Sequence, residues 1–131
     1  MPPCRIRLIG QLALIEAKVD LSLVATSDVD VYATYQHPVQ KEFERLLERH
    51  GFVLDPVGHE AWMPTETQYA LVHPGANVRG EIADAECVLL SKALRAPVKN
   101  RNLITEYLAK GASARFLDLA RRYGLDLGAF T

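Results

Sequence analysis

"ATSDVDVYAT" (residues 25–34) is the stretch on which the reading of this chain turns. Apolar and polar residues alternate through it. Val29, Val31 and Ala33 fall on one side, and Asp28, Asp30 and Tyr32 on the other, the two-residue period of a half-buried strand. Two carboxylates therefore share a face, with Cα atoms about 6.5–7 Å apart. Like charges at that spacing make each other harder to ionise unless something positive lies between them. A hard divalent cation such as Mg2+ or Mn2+ suits the pair, because it prefers carboxylate oxygens and completes its shell with water and phosphate. The same residues also read as the solvent face of an antiparallel strand, and their spacing alone does not separate the two.

Upstream, "RIRLIG" (5–10) reads as a short strand ended by Gly10. "QLALIEAKV" (11–19) has apolar residues at 12, 14, 15 and 19 among strong helix formers. A glycine at that junction lets the backbone approach a phosphate, and a helix start directs free N–H groups toward it. Downstream, "HPVQKEFERLLERHG" (37–51) is the clearest helix. Pro38 suits its first turn, Val39, Phe43, Leu46 and Leu47 form one stripe, and Gly51 can close the end. "FVLD" (52–55) reads as another strand. "EAWMP", "TQYALVH" and "VRGEIA" between residues 60 and 83 fit two or three more, separated by turns. Three helices follow: 84–96 from an Asp84 cap to the residue before Pro97, 100–111 ending at Gly111, and 113–124 from a Ser113 cap to Gly124. The expectation is an α+β fold: a mixed β-sheet with helices packed on it and a C-terminal helical segment. It forms one domain over 1–131, with the sheet-containing core at about 4–83 and the helical tail at about 84–124.

A length of 131 residues, with 49% hydrophobic and 24% charged residues, suits a single globular domain and excludes wholesale disorder. No apolar run approaches the roughly 20 residues of a membrane helix, and the amino end makes a poor signal peptide, so a cytoplasmic protein without membrane partners is expected. Cys4 and Cys87 are the only cysteines, which fits a reducing compartment. Four scattered histidines without a Cys-x-x-Cys or His-x-x-x-His pair do not present the ligand spacing of a structural zinc site. With 15 basic and 16 acidic residues the net charge is −1, so nothing draws the whole chain to nucleic acid, and any polyanion site must be local.

Together, "LIGQLALIEA" and "ATSDVDVYA" resemble the core signature of the nucleotidyltransferase (polymerase-beta-like) superfamily, in its minimal, antitoxin-type bacterial branch. Gly10, Leu12 and Ala13 match the turn and helix that follow the first strand. Thr26, Asp28, Val29, Asp30 and Val31 match the Thr-x-Asp-x-Asp strand. The resemblance implies that Asp28 and Asp30 hold metal ions for transfer of a nucleotidyl group from a nucleoside triphosphate. It also implies a third acid on a later strand, for which Glu81 in "NVRGEIADAE" is the first candidate and Asp84 the second. Gly10, Gln11, Thr26 and Ser27 would hold the triphosphate, and Lys92, in a helix similar to the family's, would meet its phosphates. The acceptor is then unknown. The resemblance implies a partner protein of toxin type as one candidate acceptor, and a homodimer is a further partner state left open. Gln11 stands where the family has a second small residue, and the arginine common before the first aspartate is missing. Both departures favour the alternative reading: an inactive nucleotidyltransferase-fold module that neutralises or regulates a partner.

Other residues read more plainly. Trp62 fits a part-buried position better than a base-stacking one, and His59 and His73 lie near loops. Arg121 and Arg122 complement a helix end, and Cys87 falls on an apolar helix face.

Overall fold

The computed structural model describes residues 4–23, 28–34, 37–55, 62–75 and 78–130. Strand β1 (Cys4–Ile9) leads into helix α1 (Gly10–Glu16). Strand β2 (Asp28–Thr34) is followed by α2 (His37–Arg49) and the short β3 (Val53–Leu54), then β4 (Tyr69–Pro74) and β5 (Val78–Ala83). The chain ends in α3 (Ala85–Arg95), α4 (Arg101–Ala109), α5 (Ala114–Arg122) and a 3-10 turn at Leu127–Phe130. The fold is thus α+β, with the element order expected from the pattern. Two differences stand out. "EAWMP" contributes no strand at residues 62–64, and α1 is only seven residues long, shorter than its apolar spacing implies.

The sheet runs β3-β2-β1-β5-β4 and is mixed. β1 pairs antiparallel with β2 and parallel with β5, β2 pairs parallel with β3, and β4 pairs antiparallel with β5. β2, α2 and β3 form a crossover unit, the connection that parallel neighbours require. Gly51, at φ 81°, closes α2: Phe52 N–H donates to the Leu47 carbonyl at 2.9 Å and Gly51 N–H to Glu48 at 3.1 Å, satisfying carbonyls the helix end would orphan.

The main core collects at the carboxyl ends of the parallel strands β1 and β5. Ile9 and Ala83 meet Leu14 of α1, Val88, Leu89 and Leu90 of α3, Ile104 of α4 and Phe116 of α5, all almost fully buried. Each large apolar side chain buried this way contributes roughly 1.5–3 kcal/mol. Asp84 and Ser113 cap α3 and α5 as their sequence positions predict, accepting from Cys87 N–H and Phe116 N–H at 3.1 Å each. On the other sheet face Ile6, Leu8, Val29 and Val31 look across an apolar cavity of about 820 Å³ to Phe43 and Leu47 of α2. Among the described residues no helix is long and apolar enough to cross a membrane.

Candidate functional site

Register decides which of the chemistry-bearing residues meet. Asp30 of β2 lies opposite Ile9, the last residue of β1, so the chain turning at Gly10 passes directly over the Asp30 side chain. A Cβ on Gly10 would sit 2.5 Å from Asp30 Oδ2, closer than atoms can pack, and the residue's φ of 72° is itself costly for any side chain. Glycine at this position is therefore favoured first by its left-handed backbone, and any side chain there would also push the Asp30 carboxylate aside. Because α1 is so short, the close backbone approach, and not a helix dipole, is what the turn contributes.

On the far side of β2 the ladder with β3 aligns Asp28 with Val53 and Val29 with Leu54. Asp55 continues it, donating its N–H to the Val29 carbonyl at 3.0 Å, which brings Asp55 level with Asp30. The Asp55 carboxyl lies close enough to act on Asp30 through a side-chain hydrogen bond and through its charge. Asp30 accordingly titrates above the usual carboxylate range. Burial is the largest cause, then the hydrogen bond and charge of Asp55, with a smaller push from Asp28, while the Lys92 ammonium pulls the other way. Asp28 is exposed, on the same face of β2.

Lys92 of α3 lines the same pocket as Asp30, near enough for its charge to act on the carboxyl. Burial, then repulsion from Lys99, holds its ammonium below the ordinary lysine range, and the charge of Asp30 partly restores it. Gly10, Asp30, Trp62, Lys92, Arg95 and Asn100 all line one pocket of about 220 Å³. Small-molecule sites start at about 300 Å³, so the pocket has room for phosphate groups more readily than for a whole nucleotide. Trp62 is held at its wall. Its carbonyl accepts from Ser91 Oγ, and its ring packs edge-on against Tyr123 at 5.3 Å. Asn100 closes α3, donating to the Ala96 carbonyl at 3.0 Å.

The residues marked out in the sequence thus divide. Gly10, Asp30 and Lys92 come together. Gln11 follows Gly10 on α1 but does not line the pocket. Thr26, Ser27 and His59 lie outside the described residues. Glu81, the first candidate for a third acid, is elsewhere. It sits two strands from β2, across β1, and roughly 10 Å of sheet separates it from Asp30. Arg7 Nε holds its carboxylate at 3.0 Å, with Arg79 at 3.4 Å and Arg5 at 3.8 Å. The hydrogen bond and charge of Arg7, followed by Arg79, keep Glu81 below its usual range against the opposing effect of burial. Asp84, the second candidate, caps α3 and pairs with Arg115. The acid that does stand beside Asp30 is Asp55. Sequence order alone only favours a strand after the amphipathic helix returning beside β2; the observed β2–β3 pairing is what sets the last residue of "FVLD" near the aspartate pair. Arg95, one turn beyond Lys92 on α3, was also legible only as a helix residue.

Magnesium is usually held by one or two carboxylates, with phosphates and waters supplying the rest. Asp30 and Asp55 are the two neighbouring carboxylates that could serve as such a donor pair. Among the described residues no group of three His, Cys, Asp or Glu side chains is drawn together tightly enough to bind an ion alone. The donor set therefore fits a cation that arrives with phosphates, and does not fit a closed structural site.

No family model matches the chain, and neither does any characterised protein or solved structure.

Proposed function

We propose that the chain is a metal-dependent nucleotidyltransferase that takes a nucleoside triphosphate with Mg2+ or Mn2+ and passes its nucleotidyl group to an acceptor. The observation that carries this reading is the Gly10 turn pressed against Asp30 in a pocket shared with Lys92 and Arg95. A carboxylate, a bare backbone and two cationic side chains in one small cavity suit a phosphate chain neutralised from both sides. Asp30 and Asp55 would hold the cation, with Asp28 beside them on the same strand face. When bound, the cation withdraws charge from the phosphate under attack. Lys92 meets the charge on the leaving phosphates, and its lowered pKa reflects a desolvated ammonium ready for an anion. Gly10 brings its backbone within contact of the same region.

Calorimetric titration with a non-hydrolysable triphosphate, with and without Mn2+, tests the reading. Binding is expected only with metal, lost in Asp30→Asn and Asp55→Asn and kept in Glu81→Gln. Metal-independent binding, or binding that survives both aspartate changes, overturns it. Labelled triphosphate supplied with candidate acceptors then tests transfer itself.

A second reading, the inactive binding module, has one observation in its favour. Asp30 titrates above the usual carboxylate range, which makes it a poorer cation ligand than an ordinary carboxylate. A protein that binds triphosphate and metal but transfers nothing to any acceptor, itself included, fits that module.

A further inference from the structure

Arg5 and Arg7 of β1 and Arg79 of β5 stand on the sheet face that carries Asp30, toward the opposite end of the strands. All three turn to Glu81, and among the described residues their ion pairs run to that carboxylate alone. Three positive charges against one negative leave an excess of two. The Glu81 side chain is only 8% exposed, whereas Arg5 and Arg79 are 46% and 56% exposed, so the excess faces solvent. A chain with a net charge of −1 thus concentrates positive charge on one part of its surface.

Aromatic rings lie among these charges. The Arg7 guanidinium covers the Tyr69 ring at 4.1 Å, and Tyr32 lies directly opposite Arg7 on β2. Burial keeps both tyrosine hydroxyls above their ordinary range, so both rings are neutral at physiological pH. Arg95 is close enough to Tyr32 for its charge to reach the hydroxyl, and Arg95 also lines the pocket. Basic groups therefore continue from Lys92 and Arg95 past Tyr32 and Arg7 to Arg5 and Arg79.

We propose that this face binds a single-stranded polynucleotide, with phosphates on Arg5, Arg7 and Arg79 and bases against Tyr32 and Tyr69. Planar guanidinium forks suit phosphate oxygens, and the part-exposed edges of Tyr32 and Tyr69 beside them offer aromatic contacts that only unpaired bases can use. A duplex would engage the charges without the rings, and so would an acidic peptide. The surface needs neither cation nor triphosphate, so it stands or falls apart from the transfer reaction.

Fluorescence anisotropy with a labelled strand of about 12 nucleotides, RNA or DNA, in EDTA tests it. The wild-type protein is expected to bind either strand at low salt and to prefer it at least tenfold over duplex and over polyglutamate. Arg5→Gln with Arg79→Gln should weaken binding about tenfold and lower the salt slope by about 1.4, the release expected for two phosphate contacts on a single strand. Arg5→Lys with Arg79→Lys should keep the slope. A 4-thiouridine strand photo-crosslinked to the wild-type chain is expected to mark peptides containing Tyr32 or Tyr69, a readout that no variant's folding can spoil. No binding, equal binding of polyglutamate or duplex, an unchanged salt slope in the glutamine variant, or cross-links confined to other peptides would overturn the proposal.

Discussion

Asp30 and Glu81 are carboxylic acids on one face of one sheet, and their surroundings push them in opposite directions. Asp30 is part-buried beside another acid, with one desolvated lysine as counterweight, and titrates high. Glu81 is more deeply enclosed, yet Arg7 and Arg79 hold it low. Burial opposes ionisation at both places, and the partners decide the outcome. The first acid is made harder to ionise by what surrounds it. The second is already satisfied and helps fix β1 to β5. An acid in a strand pattern becomes a binding group or a brace according to what the neighbouring strand sets beside it.

The contrast breaks down most visibly if Gly10→Val is harmless. A branched side chain at φ 72° that collides with Asp30 should cost about 3 kcal/mol and abolish metal-dependent triphosphate binding, measured by denaturant unfolding and calorimetry. Glu81→Gln should cost about 1–2 kcal/mol at pH 7, a charge-assisted network reduced by the exposure of its arginines, while triphosphate binding stays intact. Because Glu81 is held below 4.5 in the folded protein, its contribution is present above that pH and fades as pH falls through the lowered folded value. The gap between variant and wild type should narrow accordingly in unfolding curves taken across acid pH.

Lys92→Met sharpens the comparison from the pocket side. Triphosphate affinity should fall about tenfold, the worth of one charge-assisted contact, with thermal stability nearly unchanged. Asp30→Asn is expected to have the smallest effect and the opposite sign to Glu81→Gln. An acid raised above 3.8 stabilises the fold fully below that pH and loses this as pH rises through the raised folded value, so removing its charge is expected to relieve the fold above that value. The asparagine variant should gain on the order of 1 kcal/mol without ligand, a common outcome when a group kept for function is removed. Saturating metal and triphosphate should reverse the order by stabilising only the wild type.

Much of the fold was legible because it depends on local pattern. The two-residue period of 28–34 became β2 with Val29 and Val31 buried, and Asp84 and Ser113 became caps. Gly10 was legible as a close-approach position, although the group it approaches is Asp30. Asp55 was hidden because nothing in "FVLD" distinguishes a terminal acid from a loop residue until β3 is seen to pair with β2. Glu81 was misplaced for the complementary reason. Its strand is correct, but Arg7 and Arg5 belong to a segment 74 to 76 residues away in sequence, and only register shows that they meet it.

By itself the sequence determined which residues alternate, where helices start and stop, and that two acids must share a face, because these follow from backbone periods and capping chemistry a few residues long. Only the tertiary structure decided which acid would stand beside Asp30 and which would be neutralised by arginines. Strand order and register set those neighbours, and electrostatic character belongs to neighbours in space.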